Sequence, residues 1–349
     1  MNDRKIHVIL VSPLPPPIGG ITSWTMDYIN QMPLFGVEVT SINSSVIGNR
    51  LNDNTHVNMV DELKRFLTIK KQMKQQTKSH QIDVIHYNAS CFTLGIIRDF
   101  LLLHLIAKKI PIVYHCHCNL DTNINNSIAR FFFRKISKFS KAVLTMNQNS
   151  YKLAKEFSDH VYLLPNFIEQ VYVQKSNVNK ELKNIVFVGR ISEAKGVREI
   201  LSAANELSNI NFHFIGPDDS EMLHDCKLKN IIAHGAKNHT EVIEMMQEMD
   251  ALILPSYSEG FPLVVLEAMA CGLPIIATPV GSIPAMIENK GGILLKLKDS
   301  QSIVNSIKEI ENPQTRIAML EYNLNKVKTE YLSDIVFKQL IDIYIGVKI

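Results

Sequence analysis

Four charged residues in the second half of the chain have the types and spacing to hold a phosphorylated, hydroxyl-rich ligand. In V-F-V-G-R-I-S-E-A-K-G, Gly189 and Arg190 end a β-branched run, Lys195 follows five residues on, and Gly196 opens a helical pattern. Two cations beside a helix N-terminus suit a diphosphate leaving group, whose charge grows as the bond to it breaks. A solvated Arg/Lys pair would look the same in isolation. In L-P-S-Y-S-E-G-F-P-L-V-V-L-E-A-M-A-C-G, Glu259 lies in the loop after an apolar strand and Glu267 falls on the next helix. Pro262 suits the first turn of that helix, where Leu263, Val264 and Val265 offer N–H groups. A carboxylate among Val265, Leu266, Ala268 and Met269 is costly without a partner, and ribose hydroxyls would serve. A salt bridge to a neighbouring strand would also satisfy Glu267, but it explains Glu259 poorly.

The first half contributes two further motifs. The run Ile6–Val11 leads into S-P-L-P-P-P-I-G-G-I-T-S-W, where Gly19 and Gly20 precede a helix with Ile21, Trp24, Tyr28 and Met32 on one face. A Gly pair there lets backbone approach a ligand and present N–H groups to an anion, or simply makes a tight turn. No G-x-G-x-x-G is present, which argues against a nicotinamide dehydrogenase. In P-I-V-Y-H-C-H-C-N, strand geometry puts His115 and His117 on one face and Cys116 and Cys118 on the other. That alternation, without a second ligand pair, argues against zinc. Asp218 and Asp219 read as a polar turn, and no Asp-x-Asp occurs.

The elements that must position these residues alternate between short β-branched runs and helical patterns, the signature of βαβ units and parallel sheets. Strands are expected at Ile6–Val11, Val37–Ile42, Asp83–His86, Ile112–Tyr114, Ala142–Thr145 and Val161–Leu164. A second series follows at Ile185–Gly189, Phe212–Ile215, Ile231–Ala233, Ala251–Leu254, Ile275–Ala277 and Gly292–Leu295. The polar stretch Phe167–Leu182 reads as a linker. The expected domains are residues 1–168 and 183–331, with a C-terminal helix at about 332–349 returning to the first. In such sheets ligands bind beyond the carboxyl ends of the strands, where all the motifs above fall.

Together these segments resemble glycosyltransferase family 4, most densely over Ile185–Leu295. The resemblance implies an α/β GT-B architecture, two tandem Rossmann-like doubly wound domains facing across a cleft. It implies a retaining glycosyltransferase that moves a sugar from a UDP- or GDP-sugar to a glycan or lipid-linked acceptor, as in bacterial-type surface polysaccharide synthesis. Residue by residue, Glu259 would contact the donor sugar, Glu267 the nucleotide ribose, and Arg190 and Lys195 the diphosphate. Gly19 and Gly20 would help enclose the diphosphate, and Gly260, Phe261, Leu263 and Val264 would complete the donor site. A His at the end of a first-domain strand would contact the transferred sugar, and counting from Pro111 favours His117 over His115. Gly281 matches a family loop that often reads Gly-Gly and continues to a Glu, where this chain has Ser282 and Ala285. No metal, cofactor or nucleic acid is expected, because protein cations carry the diphosphate charge. A nucleotide-sugar epimerase or isomerase of the same fold, or a non-catalytic sugar-nucleotide-binding module, are the alternatives.

Composition sets the frame. The chain has 349 residues, 46% hydrophobic and 20% charged, as in ordinary globular domains, and its length suits two of them. The net charge of +3 is uneven: up to Glu169 there are 19 Lys+Arg against 12 Asp+Glu, and beyond it 18 against 22. Cys91, Cys116, Cys118, Cys226 and Cys271, odd in number and irregular in spacing, fit a reduced cytoplasmic compartment. The apolar run after Lys5 is too short for a signal peptide. Leu101–Ala107, flanked by Arg98, Asp99, Lys108 and Lys109, reads as a core helix, not a membrane span. In N-S-I-A-R-F-F-F-R-K-I-S-K-F-S-K, Arg130, Arg134, Lys138 and Lys141 lie along one helical stripe, with Lys135 beside it. Its aromatics could simply pack on the sheet, or the stripe could dock peripherally on the inner face of an anionic membrane.

Overall fold

The computed structural model describes residues 5–16, 19–45, 59–79, 81–89, 92–105, 109–173 and 178–348. Cys91, the end of the Leu101–Ala107 run with Lys108, and residues 174–177 of the expected linker lie outside them. The chain divides into one unit of Met1–Pro165 with Phe337–Ile349, and another of Asn166–Val336.

The first unit holds strands β1 (Ile6–Ser12), β2 (Val37–Asn43), β3 (Val84–Asn88), β4 (Ile112–Cys116), β5 (Ala142–Thr145) and β6 (Val161–Leu163). Between them run α1 (Gly20–Gln31), α2 (Met59–Ser79), α3 (Thr93–His104), α4 (Leu120–Asn123), α5 (Ser127–Phe139) and α6 (Gln148–Lys155). All six strands are parallel, in the order β2-β1-β3-β4-β5-β6. Every residue of β3, β4 and β5 is buried, as strands covered on both faces must be, and apart from His86, Asn88, His115 and Thr145 they read as apolar runs. Right-handed crossovers from β2 to β3, β3 to β4 and β4 to β5 put α2, α3 and α5 on one face of the sheet.

The second unit holds β7 (Asn184–Val188), β8 (Asn211–Ile215), β9 (Ile231–Gly235), β10 (Ala251–Leu254), β11 (Ile275–Ala277) and β12 (Gly292–Leu294). Its helices are α7 (Val197–Glu206), α8 (His239–Gln247), α9 (Leu263–Ala270), α10 (Ile283–Ile287), α11 (Ser300–Glu309) and α12 (Pro313–Lys326). The final helix, α13 (Ser333–Lys348), carries Phe337, Leu340 and Tyr344 into the core of the first unit. The second sheet is parallel in the order β12-β11-β10-β7-β8-β9, the Rossmann order with its reversal between β7 and β10. Part of the expected linker is ordered: Ile168 pairs with Leu332, and Gln170–Tyr172 form a 3₁₀ turn.

Candidate active site

In the second unit the reversal of strand order sets the loops after β7 and β10 side by side, and that is where the charged residues gather. Gly196 has φ +72, and a Cβ there would stand 2.2 Å from the Pro255 carbonyl oxygen, so only glycine lets the two loops approach. The Tyr257 N–H donates to the Ala194 carbonyl at 2.9 Å and fixes the contact. Lys195, thus placed, forms a 2.6 Å ion pair with Glu259, whose side chain is only 12% exposed. Arg190 instead pairs with Asp219 across 2.9 Å at an exposed position. Asp218 keeps to its expected turn, accepting the backbone N–H groups of Met222 and Leu223. Asp219 as the partner of Arg190 was not signalled by any pattern in the sequence.

The Glu259 loop feeds α9. Pro262 stands one residue before the helix, and the N–H groups of Leu263 and Val264 face outward from its start. The Val265 N–H, expected to join them, instead donates to the Pro262 carbonyl at 3.2 Å. Phe261 is buried edge-on against Tyr331 at 5.7 Å, so its side chain serves packing. Gly281, with φ +59, would place a Cβ 2.2 Å from the Glu259 carbonyl oxygen and 2.4 Å from that of Gly260. The Ser282 N–H donates to the Gly260 carbonyl at 3.0 Å. The Gly281–Ser282 loop therefore braces the Glu259–Gly260 backbone from behind.

Glu267 is half-buried and, among the described residues, takes no partner from a strand, contrary to the simplest alternative. It pairs at 2.9 Å with His239 Nε2, at the start of α8, and the His239 ring meets Tyr172 edge-on at 4.9 Å. His239 and Tyr172 escape notice in the sequence because neither stands in a motif.

The first unit places its candidates at the carboxyl ends of β1, β3 and β4. Gly19 and Gly20 bracket the start of α1, but the Gly19 N–H is not open to an anion, since it donates to Thr22 Oγ1 at 2.8 Å. Gly19 has extended backbone (φ −166), and a Cβ built there meets no described atom within 4 Å. Neither backbone nor packing in the described residues calls for glycine at 19. His117 lies just past the end of β4 yet on the face shared with His115, their ring centroids 3.9 Å apart. Trp24 lies against both rings and against His86. His86 Nε2 is 3.2 Å from His115 Nδ1 and 3.1 Å from Asn88 Oδ1, and its Nδ1 bonds the Tyr344 hydroxyl. Nε2 of both His115 and His117 is buried without a hydrogen-bond partner.

Burial keeps these imidazoles neutral. It pushes His86 and His117 down to about 3, and His115 well below its usual value, with neighbouring imidazoles adding to the effect at His115 and His117. An unfolded histidine protonates near pH 6.5, so below that pH the unfolded chain binds more protons than the folded one, and stability must fall as pH falls toward 3. Each fully buried imidazole contributes a slope of up to roughly 1.4 kcal/mol per pH unit. Urea unfolding at intervals from pH 7 to pH 5 should show this loss, before carboxylates titrate. Constant stability over that range would mean that the cluster is protonated in the folded protein.

The basic helix α5 buries Ala129, Phe133, Ile136 and Ser137, while Phe132 and Phe139 pack partly against the core. Ile128 and Phe131 stay exposed beside Arg134, Lys135, Lys138 and Lys141. Arg130 departs from the stripe's solvated role by pairing with Glu156 at 2.9 Å. Cys116, Cys226 and Cys271 are free thiols, but Cys118 is disulfide-bonded, which corrects the expectation of wholly reduced cysteines. Among the described residues no group of three or more His, Cys, Asp or Glu is placed to hold a metal ion, and no helix is long and apolar enough to cross a membrane.

Two parallel six-stranded sheets, the second with its ion pairs at a Rossmann reversal point, define a two-domain α/β protein of the GT-B class. Residues 169–326 match the family "Glycosyl transferases group 1". An uncharacterised glycosyltransferase of Methanocaldococcus jannaschii is 27% identical over 88% of this chain and 89% of its own. The N,N'-diacetylbacillosaminyl-diphospho-undecaprenol alpha-1,3-N-acetylgalactosaminyltransferase of Campylobacter jejuni is 30% identical over 45% of each chain. The fold of Anabaena HepE, solved with UDP and with UDP-glucose, covers 98% of this chain and 100% of its own at a TM-score of 0.73 and 15% identity in the UDP complex. Residues 169–326 thus carry a group 1 glycosyltransferase domain, within a chain that has the GT-B fold.

Proposed function

We propose that the chain is a family 4 enzyme that transfers a sugar, with retention of anomeric configuration, from a UDP- or GDP-sugar to a lipid-linked glycan acceptor in surface polysaccharide synthesis. The observation that carries this is the Lys195–Glu259 pair beside the start of α9. A diphosphate at the Leu263 and Val264 N–H groups would draw the Lys195 ammonium and leave the Glu259 carboxylate for hydroxyls of the donor sugar. Arg190, exposed and tied only to Asp219 in the described residues, can turn to the same charge. Glu267 would exchange His239 for the ribose hydroxyls. His117, with a buried Nε2 lacking a partner, would contact the transferred sugar.

No carboxylate in this reading is left to act as a covalent nucleophile. The bond between the anomeric carbon and the β-phosphate oxygen breaks while the acceptor oxygen bonds to the same face of that carbon. The acceptor proton passes to the departing phosphate oxygen, so no further base is needed. UDP-glucose in HepE and the diphospho-undecaprenol acceptor named for the Campylobacter relative support the two substrate classes. The exposed basic face of α5 suits an acceptor held in an anionic lipid surface.

A thermal-shift screen of UDP, GDP and ADP selects the donor base, because the ligand that binds the folded state raises the melting temperature by mass action. Labelled donor of that base with extracted lipid acceptor should then yield labelled lipid, and proton NMR of the new linkage should show the donor's configuration. An inverted linkage overturns the same-face mechanism. Release of free sugar nucleotide with altered configuration, and no labelled lipid, would favour an epimerase.

A further inference from the structure

At the end of the first sheet opposite to His117, the packing of α2 against α3 leaves a cavity of about 560 Å³. Its floor is Met73, Ile82, Leu102, Leu105 and Ile110. Met73 and Leu102 belong to the core cluster, while Leu105 is 60% exposed, an apolar side chain open to solvent at the mouth. Ile82 and Ile110 precede β3 and β4, whereas Asn88 and His117 stand at or just past the other ends. A five-residue strand is roughly 17 Å long, so this cavity is separate from the cluster around His117.

Its rim is made of cations. Lys70, Lys74 and Lys78 recur every four residues along α2, about one helical turn apart, and Lys109 stands on the α3 side. Among the described residues no carboxylate lines the cavity, and none of the four ammonium groups has an ion-pair partner. The remaining polar group, the Thr77 hydroxyl, already donates to the Met73 carbonyl at 2.8 Å.

We propose that this groove binds a single lipid phosphate, with the hydrocarbon chain along the floor and the phosphate among Lys70, Lys74, Lys78 and Lys109. The chemistry of the lining selects this occupant. Four lysines without a counter-charge call for an anion, and a compact phosphate can meet several at once. The described side chains of the floor bear no hydrogen-bonding group, so a peptide laid against them would leave backbone N–H and C=O groups unsatisfied, while a methylene chain needs no partner. A second copy of the chain on this face would set lysines against lysines. Because the groove opens at the end of the first sheet opposite to His117, the lipid held there anchors the enzyme and is not consumed. This goes beyond the proposed transfer and does not depend on it.

The test uses the full chain and isothermal titration with dodecyl phosphate below its micelle concentration. Saturable one-to-one binding is expected. The variant K70E/K74E/K78E should weaken it at least tenfold while keeping the thermal shift produced by nucleotide. A second variant, Leu105→Glu, places a carboxylate at an exposed floor position and should do the same. Dodecyl maltoside, with an equal chain and no charge, should bind at least tenfold more weakly, and inorganic phosphate at equal concentration should not compete. The proposal is overturned if both variants bind dodecyl phosphate within twofold of the parent, if the maltoside binds as tightly, or if inorganic phosphate displaces the lipid. It is equally overturned if sedimentation shows a dimer that the charge reversals dissociate, because the face would then belong to a second copy.

Discussion

Lys195→Ala should fold normally and lose ~10²–10³-fold in turnover, the usual cost of removing one preorganised charge from a developing anion. Lys195 is held by the turn that Gly196 permits, and its 2.6 Å pair with Glu259 keeps the ammonium beside the start of α9, a short swing from the diphosphate. Preorganised charge favours the state in which the diphosphate carries most charge, and the loss should fall mainly on kcat. Donor affinity should drop less, since the Leu263 and Val264 N–H groups and Glu267 remain. Lys195 is partly exposed and ends a short 3₁₀ turn, so truncation leaves no core cavity. Arginine at 195 should restore only part of the rate, its planar fork being unable to occupy the same point. Steady-state kinetics with saturating donor decide the matter. Near-full turnover in Lys195→Ala would remove this residue from the diphosphate site.

Glu267→Ala should weaken nucleoside diphosphate binding by ~10²-fold. Hydrogen bonds to a charged group contribute about 1.5–3 kcal/mol each, and two ribose hydroxyls on one carboxylate reach that range. Glu267 is 15% exposed, and its partner in the described residues is the half-exposed His239 ring, which a ribose can replace. The control is the sugar itself. Binding of the 2',3'-dideoxy nucleotide, which lacks both hydroxyls, should be poor in the parent and almost unchanged by Glu267→Ala. If the variant loses the dideoxy ligand as severely as the natural one, Glu267 acts through His239 and the fold of α8, not through ribose. Circular dichroism of the variant should match the parent, because truncation at the helix surface empties no part of the core.

The two units differed in how openly the chain declared them. In the second, Gly196 and Gly281 could be seen as glycines, but their necessity came from carbonyl oxygens of Pro255, Glu259 and Gly260 that lie far away in sequence. The family loop that continues to a Glu was missing its acid here, and the structure gives the remaining glycine a bracing task instead. In the first unit, the His115/His117 alternation followed from strand periodicity alone. The cage of Trp24, His86 and Tyr344 around them did not, because those residues come from three other elements.

By itself the sequence determined the strands to within a few residues, because those covered on both faces, such as β1, β10 and β11, are largely apolar. It determined also that the candidate donor-site residues cluster at the carboxyl ends of strands. Tertiary structure decided which strand ends are neighbours. Nothing in the periodicity of β7 and β10 says that they lie side by side, yet that adjacency brings together Lys195 and Glu259, 64 residues apart. The same holds for the ionic partners Asp219 and His239 and for the lysine-rimmed groove between α2 and α3. Periodicity is a local property of the chain, whereas electrostatics and close packing act through space, and only the fold fixes those distances.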